Sequence, residues 1–181
     1  LALRMCTSAG EALPADLGRR WKERAGVDIL DGIGSTEMGH IFISNRFDCS
    51  RPSSTGKPVT GYEARVVDAD MREVPDGEVG RLAVRGPTGC RYLADARQTA
   101  YVIDGWNITG DSFVREADGT FHFRARNDDM ILSSGYNIAG PEVEAALLSH
   151  ADVAECGVIG VPDAERGQIV EAHVVLASGV E

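Results

Sequence analysis

Apolar and polar positions along the chain change rhythm twice, and each rhythm predicts a different kind of element. Leu17 and Trp21 fall four apart between Pro14 and Gly26, the spacing of one helix face, with Pro14 suited to a first helical position and Gly26 to a stop. Trp21 is expected in the core. "VDILDGIG" then reads as a short buried strand running into a glycine turn. From about Arg51 to Arg126 the period drops to two. Tyr62, Ala64 and Val66 alternate with Glu63 and Arg65; Gly80, Leu82 and Val84 share a face; Phe121, Phe123 and Ala125 alternate with His122 and Arg124. "PDG" at Pro75–Gly77 and "ADG" at Ala117–Gly119 supply hairpin connections. Beyond Arg126, "MILSSGYNI" predicts two short strands around Ser133–Gly135. "GPEVEAALLSH" predicts a helix opened by Pro141, with Glu142 and Glu144 in its first turn, Val143 and Leu147 on its inner stripe and His150 at its end. "VAECGVIGV" and "IVEAHVVLA" are apolar, β-branched runs that should pair beside it.

The fold class that follows is α/β and β mixed. Residues 1–50 read as the end of an α/β subdomain, 51–127 as a mainly-β, barrel-like subdomain, and 128–181 as a small α+β C-terminal domain, truncated at its far edge. At 181 residues and 43% hydrophobic the chain can bury a substantial core, which excludes a disordered class. Its 28 acids against 18 Lys and Arg give a net charge of −10, so duplex nucleic acid and anionic membrane surfaces are excluded as partners, and an anionic ligand must be held by local dipoles and cations. Cys6, Cys49, Cys90 and Cys156 are far apart, with no CxxC pair, so neither a zinc site nor a disulfide framework is indicated and a reducing, cytoplasmic location is expected. No apolar run reaches the roughly 20 residues of a membrane helix, and no signal peptide is visible. The start without Met and the stop just after a strand-like run read as a piece of a longer protein.

The chemistry concentrates in "DGIGSTEMGH", Asp31 to His40. Its glycines allow close backbone approach, its hydroxyls can donate to phosphate oxygens, and Glu37 is a hard oxygen ligand of the kind Mg²⁺ accepts. The same ten residues also read as an ordinary turn in which Ser35 or Thr36 caps a helix. Local chemistry leaves both open. A strand leading into this turn favours a ligand, since α/β proteins bind at such edges.

Four motifs stand in order: "SAGEALP" (Ser8–Pro14), "GIGSTE" (Gly32–Glu37), "WNITGD" (Trp106–Asp111) and "RNDDMILSSGYNIAGPEVE" (Arg126–Glu144). Over nearly its whole length the chain thereby resembles the adenylate-forming superfamily of acyl-CoA ligases, luciferases and peptide-synthetase adenylation domains. "DGIGSTEMGHIFISN" followed by "SSGYNIAGPEVE" is similar to the aromatic-acid branch, the benzoate and 2-aminobenzoate CoA ligases. The resemblance implies an ATP-dependent ligase that adenylates a carboxylic acid and passes the acyl group to coenzyme A, with ATP/AMP, Mg²⁺ and CoA as its cofactors. It also implies site roles. Gly10, Glu11 and Ala12 would lie against the adenine, and Asp31 would accept from its amino group. Gly32, Ile33, Gly34 and Ser35 would complete the nucleotide loop. Thr36, on the α-phosphate, and Glu37, on Mg²⁺, form the catalytic pair.

By the same resemblance Asp111 would accept from both ribose hydroxyls, Arg126 would also reach the ribose, and Asp128 marks the hinge about which the small domain swings between the two half-reactions. Gly135 and Tyr136 would meet the pantetheine arm of CoA, although Tyr136 also reads as a packed strand residue. Ile33, Gly34 and His40 would line the acyl slot, with His40 equally readable as a backbone-satisfied histidine. Ile33 stands where many relatives carry an aromatic residue, Leu132 and Asn137 replace a motif Lys and Arg, and Ala125 replaces a leading glycine. The family's phosphate loop would precede Leu1 and its carboxylate-binding lysine would follow Glu181, so the chain alone is expected not to turn over. Loading of a carrier-protein thiol and a non-catalytic nucleotide-binding module are the alternative readings. Exposed apolar edges predict self-association.

Overall fold

A computed structural model describes residues 2–180, which fall into two compact units divided after Phe123. The first unit opens with β1 (Cys6–Ser8), α1 (Ala15–Ala25) and β2 (Ile29–Gly34), followed by β3 (Ile41–Ser44) and β4 (Lys57–Pro58). These strands form one sheet in the order β1-β2-β3-β4. β1 and β2 are parallel, with Ser8 opposite Asp31, whereas β3 runs antiparallel to both of its neighbours. Helix α1 is the crossover that parallel pairing requires. It ends as expected, Gly26 adopting φ +74 and returning its N–H to the Lys22 carbonyl.

Two details of α1 differ from expectation. Pro14 is not the first helical residue but the extended cap before it, at ψ 131. Trp21 is only half-buried, and no residue of α1 is fully buried, because the two short strands it joins present too little surface to cover its apolar stripe.

A second sheet holds β5 (Glu63–Val67), β6 (Val79–Arg85), β7 (Val102–Ile103), β8 (Trp106–Arg115) and β9 (Phe121–Arg126), in the order β5-β6-β8-β7 with β9 paired to β8. The Pro75–Gly77 and Ala117–Gly119 turns both form, Gly77 at φ +89 and Gly119 at φ +80, although an extra loop around Asp68 lengthens the first connection. Between β6 and β7 lies α2 (Arg97–Tyr101), a helix the period-two reading did not anticipate. The two sheets share one core: Met38, Phe42 and Ile43 pack with Val66, Leu82, Val84, Phe113 and Phe121. On the other face of the second sheet Trp106 is buried with Val67 and Ala83, and the guanidinium groups of Arg65 and Arg85 stack on its ring at 3.9 and 4.6 Å.

The second unit contains β10 (Ile131–Ser133), β11 (Tyr136–Ile138), α3 (Gly140–Leu148), β12 (Val153–Asp163) and β13 (Gly167–Leu176), in the sheet order β11-β10-β13-β12. The predicted pair of short strands is a two-residue hairpin, with Ser134 at φ +49 and Gly135 at φ +84. Positive φ at both central residues is the type I′ condition that matches strand twist. Helix α3 starts with Pro141 in its first turn and stops at Leu148, short of His150. Glu144 accepts a hydrogen bond from Val158 N–H at 2.9 Å and thereby fastens α3 to the edge strand β12. Among the described residues no helix is long and apolar enough to cross a membrane.

Candidate nucleotide site

Parallel pairing of β1 and β2 is what creates the site, because both strands end on the same edge. The Ser8–Pro14 loop leaves β1 there, and the "GIGSTE" stretch begins one residue beyond the Ser8–Asp31 pair and leaves β2 after Gly34. Ligands of α/β proteins collect at the carboxyl ends of such strands. Gly10, Glu11 and Ala12 are all exposed on the first loop, with Gly10 at φ +100 and open space where a side chain would stand. That loop walls a shallow hollow of about 390 Å³. Leu13, at its end, also lines a more enclosed cavity of about 450 Å³ whose other walls include Ile29, Asp31, Asn45 and Ser54.

Asp31 is the electrostatic oddity of this edge. Burial pushes its carboxyl up from the ordinary 3.8 to about 6, and the nearby Gly32 and Leu13 amides offset only part of that cost. Its Oδ1 is buried with no hydrogen-bond partner. A buried carboxylate oxygen without a donor is an acceptor waiting for one. Its main-chain carbonyl is already taken by Asn45 N–H at 2.8 Å, and Asn45 Nδ2 in turn donates to Ser54 O at 2.6 Å, tying the 50–54 loop to β2.

The next residues form a single turn, and its structural logic is visible. Ser35 Oγ accepts from Met38 N–H at 3.2 Å and closes the turn, but no helix follows, so the helix cap that the local reading allowed is not formed. Met38 is fully buried and pins the turn to the core. Gly32 and Gly34 are required by β3: a Cβ at Gly34 would lie 2.5 Å from the His40 carbonyl oxygen, and one at Gly32 would lie 2.9 Å from that of Ile43. The room expected beside Gly34 for a flat ring is therefore occupied, on that side, by the neighbouring strand. Ile33 packs its half-buried side chain against the core cluster, while Thr36 and His40 are exposed.

Glu37 lies in the same turn, and its carboxylate Oε1 accepts from the Tyr92 hydroxyl at 2.6 Å. That hydrogen bond, with help from the Glu37 amide and Ser35, holds the carboxyl below its ordinary range despite partial burial. Arg97 stacks over the Tyr92 ring at 4.8 Å, and Tyr101 meets it edge-on at 5.5 Å. The Tyr101 hydroxyl is buried beside Ser35 without a well-formed hydrogen bond, and desolvation pushes it up to about 12. Tyr92, Arg97 and Tyr101 were missed at sequence level. Aromatic and arginine residues alternating in "CRYLADARQTAY" were the available signal, but a loop and a five-residue helix leave no periodicity to read. Among the described residues no group of three or more His, Cys, Asp or Glu gathers as a metal cage. An ionised lone glutamate still fits Mg²⁺, which takes one or two carboxylates plus phosphate oxygens.

Asp111 is buried at 6% exposure inside β8, where the strand carries extra residues opposite Arg81–Ala83. Gly110 supplies the bend at φ +83. A bulge of this kind re-aims the following side chain, which accounts for the glycine in "TGD". In the second unit Arg126 is exposed and its Nε lies 3.5 Å from Asp128 Oδ1. Tyr136 is 75% exposed beside the hairpin turn, and no atom lies within 4 Å of where a Gly135 side chain would stand. Tyr136 is therefore not the packed strand residue that the alternative reading allowed.

A loop leaving β1, an unpartnered buried oxygen on Asp31 of the paired strand and a glutamate held ionised on the following turn make this edge a candidate binding site. The chain belongs to the AMP-binding enzymes: residues 1–92 match the AMP-binding enzyme family, and residues 142–181 match the AMP-binding enzyme C-terminal domain. It is 44% identical to the benzoate–CoA ligase of Thauera aromatica over 99% of this chain and 34% of that protein. Against the 4-hydroxybenzoate–CoA/benzoate–CoA ligase of Rhodopseudomonas palustris the identity is 41%, over 97% of the chain and 33% of that protein. Among solved structures it superposes on the anthranilate CoA ligase AuaEII in complex with anthranoyl-AMP with a TM-score of 0.91 at 44% identity, covering 99% of this chain and 35% of that one. A benzoate CoA ligase from Burkholderia xenovorans LB400 gives 0.90 at 41%, covering 100% and 36%. The chain thus spans about a third of the length of these relatives.

Proposed function

We propose that the chain is about a third of an ATP-dependent, AMP-forming ligase that joins an aromatic carboxylic acid to coenzyme A. In the first half-reaction a carboxylate oxygen attacks the α-phosphorus of ATP, and the bond to the β-phosphate oxygen breaks to release pyrophosphate. In the second, the CoA sulfur attacks the acyl carbon, AMP leaves on its phosphate oxygen, and the thiol proton passes to solvent. A free carboxylate does not acylate a thiol, because oxide is a poor leaving group, whereas AMP leaves readily.

The single observation that carries this reading is the carboxyl-edge arrangement of Gly10–Ala12 and Asp31, whose orphaned Oδ1 offers an acceptor to an exocyclic amine such as that of adenine. Thr36 is assigned to the α-phosphate and Glu37 to Mg²⁺, which would neutralise charge developing on the phosphates. Gly32, Ile33, Gly34 and Ser35 keep the backbone of this loop in place, and Ile33, Gly34 and His40 are assigned to the acyl end. Asp111 is assigned to the ribose hydroxyls, as is Arg126. Asp128, just inside the second unit, is the hinge, and Gly135 and Tyr136 are assigned to CoA. The exposure of Tyr136 supports a role outside the packed sheet.

The test is a graft. This chain replaces the corresponding third of the Thauera aromatica benzoate–CoA ligase, and pyrophosphate release is followed with benzoate, 2-aminobenzoate and a fatty acid, with and without CoA. Release with a benzoate, followed by thioester formation only when CoA is added, is expected. A folded graft that releases pyrophosphate with none of the acids refutes the reading, and one that acylates only a carrier-protein thiol replaces it.

A further inference from the structure

The residue that the motif resemblance places on the metal, Glu37, sits on a one-turn loop and is half-exposed, and within its own turn only its own amide and Ser35 reach the carboxylate. The strongest of its contacts comes from 55 residues further on, the 2.6 Å hydrogen bond from the Tyr92 hydroxyl. Tyr92 is itself braced on two sides, by the Arg97 guanidinium at 4.8 Å and the Tyr101 ring edge at 5.5 Å. Arg97 is fixed in turn by Asp95, through Nε at 2.9 Å and Nη2 at 2.6 Å. Gln98 closes the loop by accepting from the Tyr92 backbone N–H at 2.7 Å.

We propose that Tyr92 is the positioning residue for Glu37, and that the 92–101 segment is a clamp holding that carboxylate in the orientation in which it receives a divalent cation. The proposal rests on the ligase reading for its consequence and on the Tyr92–Glu37 geometry for its cause. A carboxylate has two oxygens and about four lone-pair sites, so a phenol on Oε1 fixes the side-chain torsions while leaving acceptor capacity for a hard cation. An outer residue that orients a metal ligand commonly accounts for about 10–100-fold in metal affinity or activity. Tyr92 would act through Glu37, without being itself a ligand of the cation.

Two readouts test this. In the chain itself, amide hydrogen exchange over residues 92–101 is measured for wild type, Tyr92→Phe, Glu37→Ala and the double variant. Each single change is expected to speed exchange in that segment about tenfold, and the double change no further, because both remove one contact. Additive effects, or none, overturn the clamp. In the grafted ligase, Tyr92→Phe is expected to raise the half-saturating Mg²⁺ concentration about tenfold while leaving the KM for benzoate unchanged. A graft that turns over with unaltered Mg²⁺ dependence overturns the clamp and leaves the ligase reading standing. A graft that never releases pyrophosphate removes the ligase reading, and the exchange cycle then decides the clamp alone.

Discussion

Asp31 is a carboxylate that the fold holds at a cost, and substituting it with asparagine should stabilise the protein in a pH window set by its own titration. Its carboxyl stands at about 6 instead of 3.8 because burial disfavours the charge. At about 1.4 kcal/mol per unit the shift corresponds to roughly 3 kcal/mol. Asp31 is only partly buried, so solvent screening reduces this to about 1–2 kcal/mol. The sign follows from linkage: the native state binds the proton more tightly than the unfolded chain, so the penalty is absent below about pH 4, grows between 4 and 6, and is complete above 6. Asparagine keeps the shape and removes the charge. Asp31→Asn is therefore expected to be about 1–2 kcal/mol more stable than wild type at pH 7.5, a rise of about 2–8 °C in Tm for a chain of this size. The two proteins should converge at pH 4. Urea unfolding across that range, followed by circular dichroism, measures the difference directly. If Asp31→Asn is no more stable at pH 7.5, or if its advantage persists at pH 4, Asp31 is not a desolvated, unpartnered carboxylate. A stability cost retained at one residue is what a binding site shows when the group is kept for its ligand.

Other outcomes follow from particular contacts. Gly34→Ala drives a Cβ to within 2.5 Å of the His40 carbonyl and should cost about 1–3 kcal/mol in urea unfolding, because backbone on β3 cannot move aside as a flexible side chain would. Trp106→Ala removes a buried ring and with it the stacking of the Arg65 and Arg85 guanidinium groups, and about 3–5 kcal/mol should be lost in guanidinium unfolding. Ser134→Asn should raise the thermal midpoint slightly, by about 0.5 kcal/mol equivalent, since asparagine tolerates the φ of +49 better than serine does. Val174, Val175 and Leu176 are all more than 40% exposed on β13, and β12 is an eleven-residue edge strand, so light scattering should show the mass rising above 19.3 kDa with concentration. A constant monomer mass across that series would show that this apolar face does not self-associate.

Local signals carried much of the fold. The Gly26 stop, the Pro141 start, the Ser134–Gly135 turn and the alternation along β5, β6 and β9 are all decided within a few residues by backbone stereochemistry and by which face is apolar. The motifs were legible for the same reason, as glycines and acids at fixed short spacing. They singled out Asp31 and Glu37, and identity of 44% to a benzoate–CoA ligase accords with the resemblance they carried.

What sequence could not supply were partners distant along the chain. Parallel pairing of β1 with β2 places Ser8 beside Asp31, and no pattern within either strand encodes that adjacency. Tyr92 reaches Glu37 across 55 residues from a segment with no periodicity, so the hydrogen bond exists only once the second sheet has packed against the first through Met38, Phe42 and Phe113. Gly34 must also lack a side chain for a reason no local pattern shows, because the atoms that its Cβ would meet belong to His40 and Ile41 in the folded backbone. The chain by itself determined its elements and its reactive groups, because propensity, turn geometry and amphipathic period are local. Tertiary structure alone decided which carboxylate is desolvated and which is held ionised, because burial and hydrogen-bond partners are properties of packing.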